Sequence, residues 1–198
     1  MNTYEMEEGL KFAVENPNFD FGVHLTVTSE WKYHKWGGIL DKAKTPSLHN
    51  SFNNFYWNKR KFVKNADLNE IKMELQAQIS LAKSMGLKPS HIDSHEGALF
   101  FDPNIFKIYI DLAVENDLLA FVPIEASMHF NGELDKPNNA VIIDQFHMLH
   151  GGTEVEDIEN FYFNVIHNLK PGLIQIIIHL GKDEPEFKKI TVVNPNFV

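Results

Sequence analysis

The chain has 198 residues, of which 43% are hydrophobic and 16 are phenylalanine, so residues 1–198 can form one domain with a substantial core. Its formal net charge of −9 disfavours nucleic acid as a partner and favours a small neutral or cationic molecule. The absence of cysteine excludes disulfides and thiolate metal sites. No apolar run approaches the roughly 20 residues that cross a bilayer, and the acidic amino terminus is unlike a secretory signal. We therefore expect a cytoplasmic protein without a membrane partner.

The first half of the chain predicts two helices, one strand and a long loop. Apolar residues at helical spacing predict a helix over residues 4–15, and residues 19–28 form a β-rich run. Residues 29–66 are irregular and rich in aromatic side chains, which is typical of a lid or a binding loop. The run DLNE, which begins at Asp67, predicts a capping box that opens a helix through residue 85.

The second half predicts strands that alternate with helices. Strands are expected at residues 91–95, 118–122 and 173–179, with helices at residues 103–116 and 153–169. This alternation is typical of an α/β protein whose parallel sheet is covered by helices. We recognise only four or five strands, fewer than the about eight that close a barrel, so an open sheet is expected. Its free edge favours a homo-oligomer.

The most informative motif is HIDSHEG at residues 91–97. Alternate residues of an extended strand share a face, so His91, Asp93 and His95 are expected to point the same way. His24 lies in the first predicted strand, and His179 ends the last one. Chemistry in parallel α/β sheets gathers at the carboxyl ends of the strands, so these side chains are predicted to meet at one rim.

These residue types suit a metal-dependent hydrolase. Neutral imidazoles that leave one coordination position open can hold a divalent metal, which polarises a carbonyl and activates water. His24 and His95 are the first candidates for ligands, and His91 is a second-shell residue or an alternative ligand. His179 is the candidate acid, and Asp93 is a catalytic candidate because it can orient an imidazole.

Each histidine also has a structural alternative. His24 is compatible with a hydrogen-bonded core histidine, and His179 with the point where a strand reaches solvent. A metal or acid–base site is the better interpretation of HIDSH, because burying three polar groups on one strand face is costly. The remaining histidines are interpreted as loop or surface residues: His34, His49, His129, His147, His150 and His167.

The aromatic loop supplies the candidate substrate contacts. Trp31, Trp36, Tyr56 and Trp57 lie among asparagines, a combination that can stack on sugar rings and bind their hydroxyl groups. The alternative is that these aromatic side chains anchor a long loop to the body of the protein. The basic run at residues 59–61 is interpreted as solvated.

Three segments resemble the YdjC-like carbohydrate deacetylases. The run GVHLTVT at residues 22–28 is similar to the family's GLHLT element, and HIDSH at residues 91–95 is similar to its HxDSH element. The run IHLG at residues 178–181, followed by DEP at residues 183–185, resembles its late CHPG-type strand end. The three segments occur in the family's order and extend over most of the chain.

The resemblance implies a fold, a cofactor and a substrate. The fold would be a deformed (β/α) barrel of the polysaccharide-deacetylase type, and the substrate a small N-acetylated sugar or oligosaccharide that loses its acetyl group. A divalent metal, magnesium or zinc, would be bound by His24 and His95. His179 would be a catalytic acid or would stabilise the transition state.

The sequence also departs from the family pattern. Family members open with a strand that ends in an Asp-Asp pair. The resemblance implies that this pair supplies a third metal ligand and the general base. This sequence contains no such pair. We therefore expect a barrel without its first strand and a chain shortened at both ends. One alternative function is a catalytically impaired carbohydrate-binding remnant. Another is a metallohydrolase of phosphate esters, which the acidic charge and the lack of a glycine-rich phosphate loop disfavour.

Overall fold

The computed structural model describes residues 4–134, 139–149 and 155–179, together with residue 185. Seven α-helices and six β-strands lie in these ranges. In chain order they are α1 (Tyr4–Glu15), β1 (Gly22–Leu25), α2 (Lys59–Asn65), α3 (Leu68–Ser84), β2 (His91–Ser94), α4 (Pro103–Asn116), β3 (Leu119–Pro123), α5 (Ile124–His129), α6 (Asn131–Leu134), β4 (Ala140–Ile143), β5 (Gln145–Met148), α7 (Val155–His167) and β6 (Ile174–Ile177). No helix in the described part of the chain is both long and apolar enough to cross a membrane.

The described strands form two parallel sheets. One has the order β1-β2-β3-β4, and the other pairs β5 with β6. In the first sheet Val23 lies opposite Ile92, and His24 lies opposite Asp93. Only Asp144 separates β4 from β5, so the chain passes from one sheet to the other within a single residue. The predicted α/β class with a parallel sheet is confirmed.

The first sheet has a dry face and an open face. Along β1, Val23 and Leu25 are buried while His24 between them is exposed, as the alternation of side chains in a strand requires. Ile92 of β2 is fully buried in the same core. The fully buried Tyr109 of α4 bonds through its hydroxyl to carbonyl oxygens of β2 and β3, and burial raises its pKa well above the usual value. The polar side chains of β1 are therefore left on the open face.

Two segments differ from the sequence prediction. Strands β4 and β5 lie between the predicted strand at residues 118–122 and the predicted helix at residues 153–169, where no strand was expected, and no helix separates them. The predicted loop at residues 29–66 contains α2, whose N-cap Asn58 accepts a hydrogen bond from the Lys61 amide. The basic run at residues 59–61 is thus the first turn of a helix. The first two residues of the helix predicted at 153–169 fall outside the described residues.

The capping box at Asp67 is only half formed. Asp67 accepts hydrogen bonds from the amides of Asn69 and Glu70, as predicted. Glu70, however, does not return a bond to Asp67; it accepts from the amide and hydroxyl of Ser47, whose Oγ in turn accepts from the Asp67 amide. The cap therefore also attaches the loop at residues 29–66 to α3.

A buried polar pair on α3 holds the rest of this loop. Glu74 is completely buried and accepts hydrogen bonds from the amides of Ile39 (2.8 Å) and Leu40 (2.9 Å). One turn later, Gln78 bonds both the amide and the carbonyl of Thr26. These contacts fix the chain on either side of residues 29–36, the segment that lies against the candidate site.

One of the histidines interpreted as loop or surface residues lies in the loop but is buried. His49 is only 5% exposed, bonds through Nδ1 to the Thr45 carbonyl, and accepts from the Gly38 amide through Nε2. Its ring stacks on Phe55. Position in an irregular segment was therefore a poor guide to exposure.

Candidate active site

His24 and His95 meet where β1 and β2 end. His24 is the third residue of β1, and His95 is the first residue after β2. His24 Nε2 lies 3.2 Å from His95 Nδ1, with the two ring planes at 86°. The other nitrogen of His24, Nδ1, lies 2.8 Å from Asp93 Oδ1. The parallel register, which sets His24 opposite Asp93, produces this contact directly.

Glu30 completes the cluster. Its Oε2 lies 2.9 Å from His95 Nε2. The pairing is crosswise: the β1 segment supplies His24 and Glu30, the β2 segment supplies Asp93 and His95, and each imidazole contacts a carboxylate of the other segment. We call these four residues the His–carboxylate cluster. Its contacts join the carboxyl ends of two neighbouring strands.

The cluster is short of one positive charge. Carboxylates only accept hydrogen bonds, so His24 Nδ1 and His95 Nε2 must be the protonated nitrogens. A neutral imidazole has one N–H, which leaves lone pairs on both facing nitrogens, 3.2 Å apart. The three contacts, His24 with Asp93, His24 with His95 and His95 with Glu30, therefore have only two N–H groups between them. Either an added proton or a metal ion satisfies the remaining contact.

The spacing of the cluster fits a metal ion. Two nitrogens bound to one ion at about 2.0–2.1 Å, with a bond angle of about 90–110°, are about 2.9–3.4 Å apart. The observed 3.2 Å lies inside that interval. Glu30, His95 and Glu96 form a second candidate group, in which ligand atoms from all three residues lie within 4.8 Å of one another. Both arrangements use His95.

The pKa values of two ionisable residues at the site, Glu30 and Lys35, are both lowered. Burial alone would raise the pKa of Glu30, but its hydrogen bond and charge interaction with His95, helped by a bond from the Trp31 side chain, lower the net pKa below the usual value. Burial lowers the pKa of Lys35, an effect that nearby Glu30 partly offsets. Glu30 is therefore ionised, with the N–H of His95 and the nearby Lys35 as its stabilising neighbours.

Glu96 follows His95 in an unusual backbone conformation. Its φ is +51° and that of Gly97 is +64°, the left-handed region that side-chain-bearing residues seldom adopt. The turn is held from two sides, because Thr28 Oγ1 donates to Glu96 Oε2 (3.0 Å) and Lys59 Nζ donates to the Glu96 carbonyl (3.1 Å). Strained turns of this kind are concentrated at functional sites.

The predicted aromatic contacts have different surroundings. Trp36 packs against a histidine of the cluster: its ring is 6.0 Å from the His95 ring, centre to centre, and its buried Nε1 has no hydrogen-bond partner among the described residues. Trp31 bonds to Glu30. The Lys61 ammonium lies over the Trp57 ring. The backbone carbonyl of Tyr56 accepts a hydrogen bond from the Ser29 amide.

His91 is separated from the cluster. Its ring stacks on Phe121 at 4.2 Å, its Nδ1 contacts Ser90 Oγ, and its far edge lies over Gly22. Burial lowers the pKa of His91, although Asp93 and Asp20 oppose the shift. Strand β2 ends at Ser94 and His95 begins a 3₁₀ turn, yet Asp93 and His95 both contact His24 on the open face.

His179 also stands apart. It lies two residues beyond β6, in the second sheet, and it is exposed. Among the described residues, no hydrogen bond or ring contact joins it to His24 or His95. Leu180 and Gly181, which complete the late motif, fall outside the described residues.

Glu30 and Glu96 were not among the site residues predicted from the sequence. A signal for Glu30 was present, because counting in steps of two from His24 leads through Thr26 and Thr28 to Glu30, as an extended segment would. The structure continues this extended path past β1, with a β-bridge between Thr28 and Tyr56. No local sequence pattern indicated a role for Glu96, since a glutamate with a left-handed backbone conformation has no sequence signature.

Comparison with known proteins agrees with this architecture. A solved structure of a candidate cellobiose-phosphate cleavage protein from Enterococcus faecalis superposes with a TM-score of 0.71, covering 94% of this chain and 70% of that one. The two share 21% of their residues, so the likeness concerns the fold. It confirms the expected deformed barrel, which hydrogen bonds between the described strands do not close.

Relatives are also found by sequence. A carbohydrate deacetylase from Thermus thermophilus is 29% identical over 173 residues, which is 84% of this chain and 63% of that protein. A carbohydrate deacetylase from Vibrio parahaemolyticus is 34% identical over 115 residues, 56% of this chain and 40% of that protein. The chain thus spans less than two thirds of either relative. The model of the family described as YdjC-like protein matches residues 1–196, and the chain therefore belongs to the YdjC-like family.

Proposed function

We propose that this protein is a metal-dependent hydrolase that removes acetyl groups from N-acetylated sugars. The observation that carries the proposal is the cation deficit of the His–carboxylate cluster, in which two lone pairs face each other at 3.2 Å on adjacent strand ends. The name carbohydrate deacetylase, carried by the relatives from Thermus thermophilus and Vibrio parahaemolyticus, supports the reaction and the substrate class.

His24 Nε2 and His95 Nδ1 would hold the ion. When bound, a divalent metal at this position supplies Lewis acidity, which polarises an acetyl carbonyl and activates water for attack. Asp93 acts by fixing the His24 ring with its Nε2 lone pair directed away from the carboxylate. Imidazole nitrogens suit zinc and related ions better than magnesium, so zinc is the first metal to test.

Glu96 would be part of the same metal centre. Glu96 lies within reach of His95 and Glu30, and its turn is fixed by Thr28 and Lys59. A carboxylate at this position can accept a proton from water or from a sugar hydroxyl. His179 remains the proposed acid, by its resemblance to the family's late motif.

Substrate binding is proposed for the aromatic segment. Trp36 packs against His95, so a sugar stacked on the open part of its ring would lie next to the candidate metal. Trp31, Tyr56 and Trp57 belong to the same loop, which Glu74 and Glu70 attach to α3. A fixed aromatic wall beside a metal centre suits an uncharged ring with an acetamido group.

The test is acetate release from N-acetylated chito-oligosaccharides, measured on purified protein with added zinc, with magnesium, and with a chelator. We expect metal-dependent release that the chelator abolishes, and its loss in His24→Ala and His95→Ala. Release that persists in the chelator would contradict the proposal. Binding of sugar by calorimetry without any release of acetate would favour a carbohydrate-binding protein instead.

A further inference from the structure

We propose that Glu30 is a positioning residue that holds His95 as the tautomer protonated on Nε2, with Nδ1 free to face His24 and bind a metal. The inference deepens the proposed function and depends on its metal site. The contact that carries it is the 2.9 Å separation between Glu30 Oε2 and His95 Nε2. An ionised carboxylate accepts only, so this contact requires the proton on Nε2.

The backbone before Glu30 is unusually well fixed. Ser29 is completely buried, and all of its polar groups are used. Its amide donates to the Tyr56 carbonyl (2.9 Å), its Oγ accepts from the Trp36 amide (3.0 Å), and its carbonyl accepts from Lys35 Nζ. The neighbouring Thr28 is bridged to Tyr56. The position from which Glu30 reaches His95 is thus set by three parts of the loop.

The surroundings limit what else the Glu30 side chain can do. Its side chain is only 15% exposed and that of His95 only 18%, so water competes weakly for their contact. Trp31 bonds to the carboxylate, and the Trp36 ring packs against His95. Residues 29–36 therefore enclose His95, with Glu30 at one nitrogen and His24 at the other.

The partner histidine provides an internal comparison. Asp93 contacts His24 Nδ1 in the same way as Glu30 contacts His95 Nε2, leaving each ring's second nitrogen directed at the other ring. Had Glu30 instead been a ligand together with Glu96, His95 Nε2 would have to lose its proton, and Nδ1–H would donate to His24. The two arrangements differ in one observable, the tautomer of His95 in the metal-free protein.

The experiment is a long-range proton–nitrogen correlation spectrum of the ¹⁵N-labelled chain without metal, at about pH 8 where imidazoles are neutral. We expect His95 to be protonated on Nε2 in the native protein. In Glu30→Gln the amide can present either its oxygen or its NH₂ group, so a mixture of tautomers is expected. Zinc affinity by calorimetry should fall by about 10- to 100-fold in that variant.

Two matched variants test whether the effect is specific. Glu115→Gln removes an exposed carboxylate that pairs with Lys72, and should change neither the His95 tautomer nor zinc affinity. Asp93→Asn should alter the tautomer of His24 and leave that of His95 unchanged. Circular dichroism verifies that each variant is folded.

The outcomes separate this inference from the proposed function. His95 protonated on Nδ1 in the native protein would overturn it. So would a Glu30→Gln variant that keeps both the tautomer and the zinc affinity. If native protein shows the Nε2–H tautomer and Glu30→Gln loses it, but neither binds zinc, the role of Glu30 is supported while the metal centre of the proposed function is refuted.

Discussion

The two sheets place histidines at strand ends in very different surroundings. In the four-stranded sheet, Val23, Ile92 and Val122 are buried at 1% exposure or less, and the histidine contacts beyond them are fixed by partners on both sides. In the β5–β6 pair, none of the strand residues is fully buried, and His179 at its end is exposed.

The contrast explains why strand-end position alone is an incomplete guide to a site. A strand end brings a side chain to the rim, but burial of the strand on its other face fixes where that side chain points. Polar partners then decide which nitrogen is available. The β1–β2 end satisfies all three conditions, whereas among the described residues the β6 end satisfies only the first.

The largest expected effect is on stability, and it tests the difference in burial. Ile92→Ala should lower the free energy of unfolding by about 2–5 kcal/mol, since Ile92 is fully buried. The partly exposed Ile176 of β6 is the matched position, and Ile176→Ala should cost less than half as much. Urea unfolding of both variants measures the difference. Equal losses would mean that the two sheets contribute alike.

A second prediction concerns the attachment of the loop beside the site. Glu74→Ala leaves the Ile39 and Leu40 amides without their acceptor in a buried position, which should cost about 2–4 kcal/mol at roughly 1–3 kcal/mol per unsatisfied group. Glu115→Ala, at an exposed ion pair, should cost about 0–1 kcal/mol. Chemical denaturation compares them. A Glu74 variant as stable as the Glu115 variant would show that the loop is held by other contacts.

A third prediction uses two glycines of opposite surroundings. A Cβ on Gly22 would lie 2.3 Å from His91 Nε2, and the ring cannot move away without leaving Phe121. Gly22→Ala should therefore destabilise the protein by about 1–3 kcal/mol. In α1, a Cβ on Gly9 meets nothing within 4 Å, so Gly9→Ala should stabilise by about 0.5–1 kcal/mol. Thermal unfolding should show shifts of opposite sign, and shifts of the same sign would disprove the packing of His91 over Gly22.

The smallest expected effect is a pH dependence from His91. Its pKa in the folded protein is lowered by burial, so the unfolded chain binds the proton more readily and stability falls as pH drops below the ordinary histidine value of 6.5. His91→Gln should reduce the loss of unfolding free energy between about pH 7.5 and 5.5. An unchanged slope, measured by urea titration at both values, would assign the dependence to other groups.

Much of the fold was predictable because its signals are local. The helix at Tyr4–Glu15 was predicted to the residue, and so was the helix at residues 103–116, which is α4. Strands β4 and β5 were missed because no helix lies between them, so they do not follow the alternation of strands and helices in the rest of the second half. The parallel order followed from the alternation of strands and helices.

The site was predictable only in part. The motif around Asp93 and His95, together with His24, was visible as a cluster of ligand types, because strand ends and period-two spacing are sequence properties. Glu30 and Glu96 were not selected, since their roles depend on contacts 65 and 68 residues away along the chain. The burial of His49 was missed for a different reason: its partners lie only 4 and 11 residues away, and the path of the loop brings them together.

The most direct test of the account is zinc binding to the purified chain, measured by calorimetry on the native protein and on His24→Ala, His95→Ala and His179→Ala. The account predicts one ion per chain in the native protein, its loss in the first two variants, and its retention in His179→Ala. Equal binding by all four proteins, or none by the native chain, would contradict the claim that the paired imidazoles form a metal site.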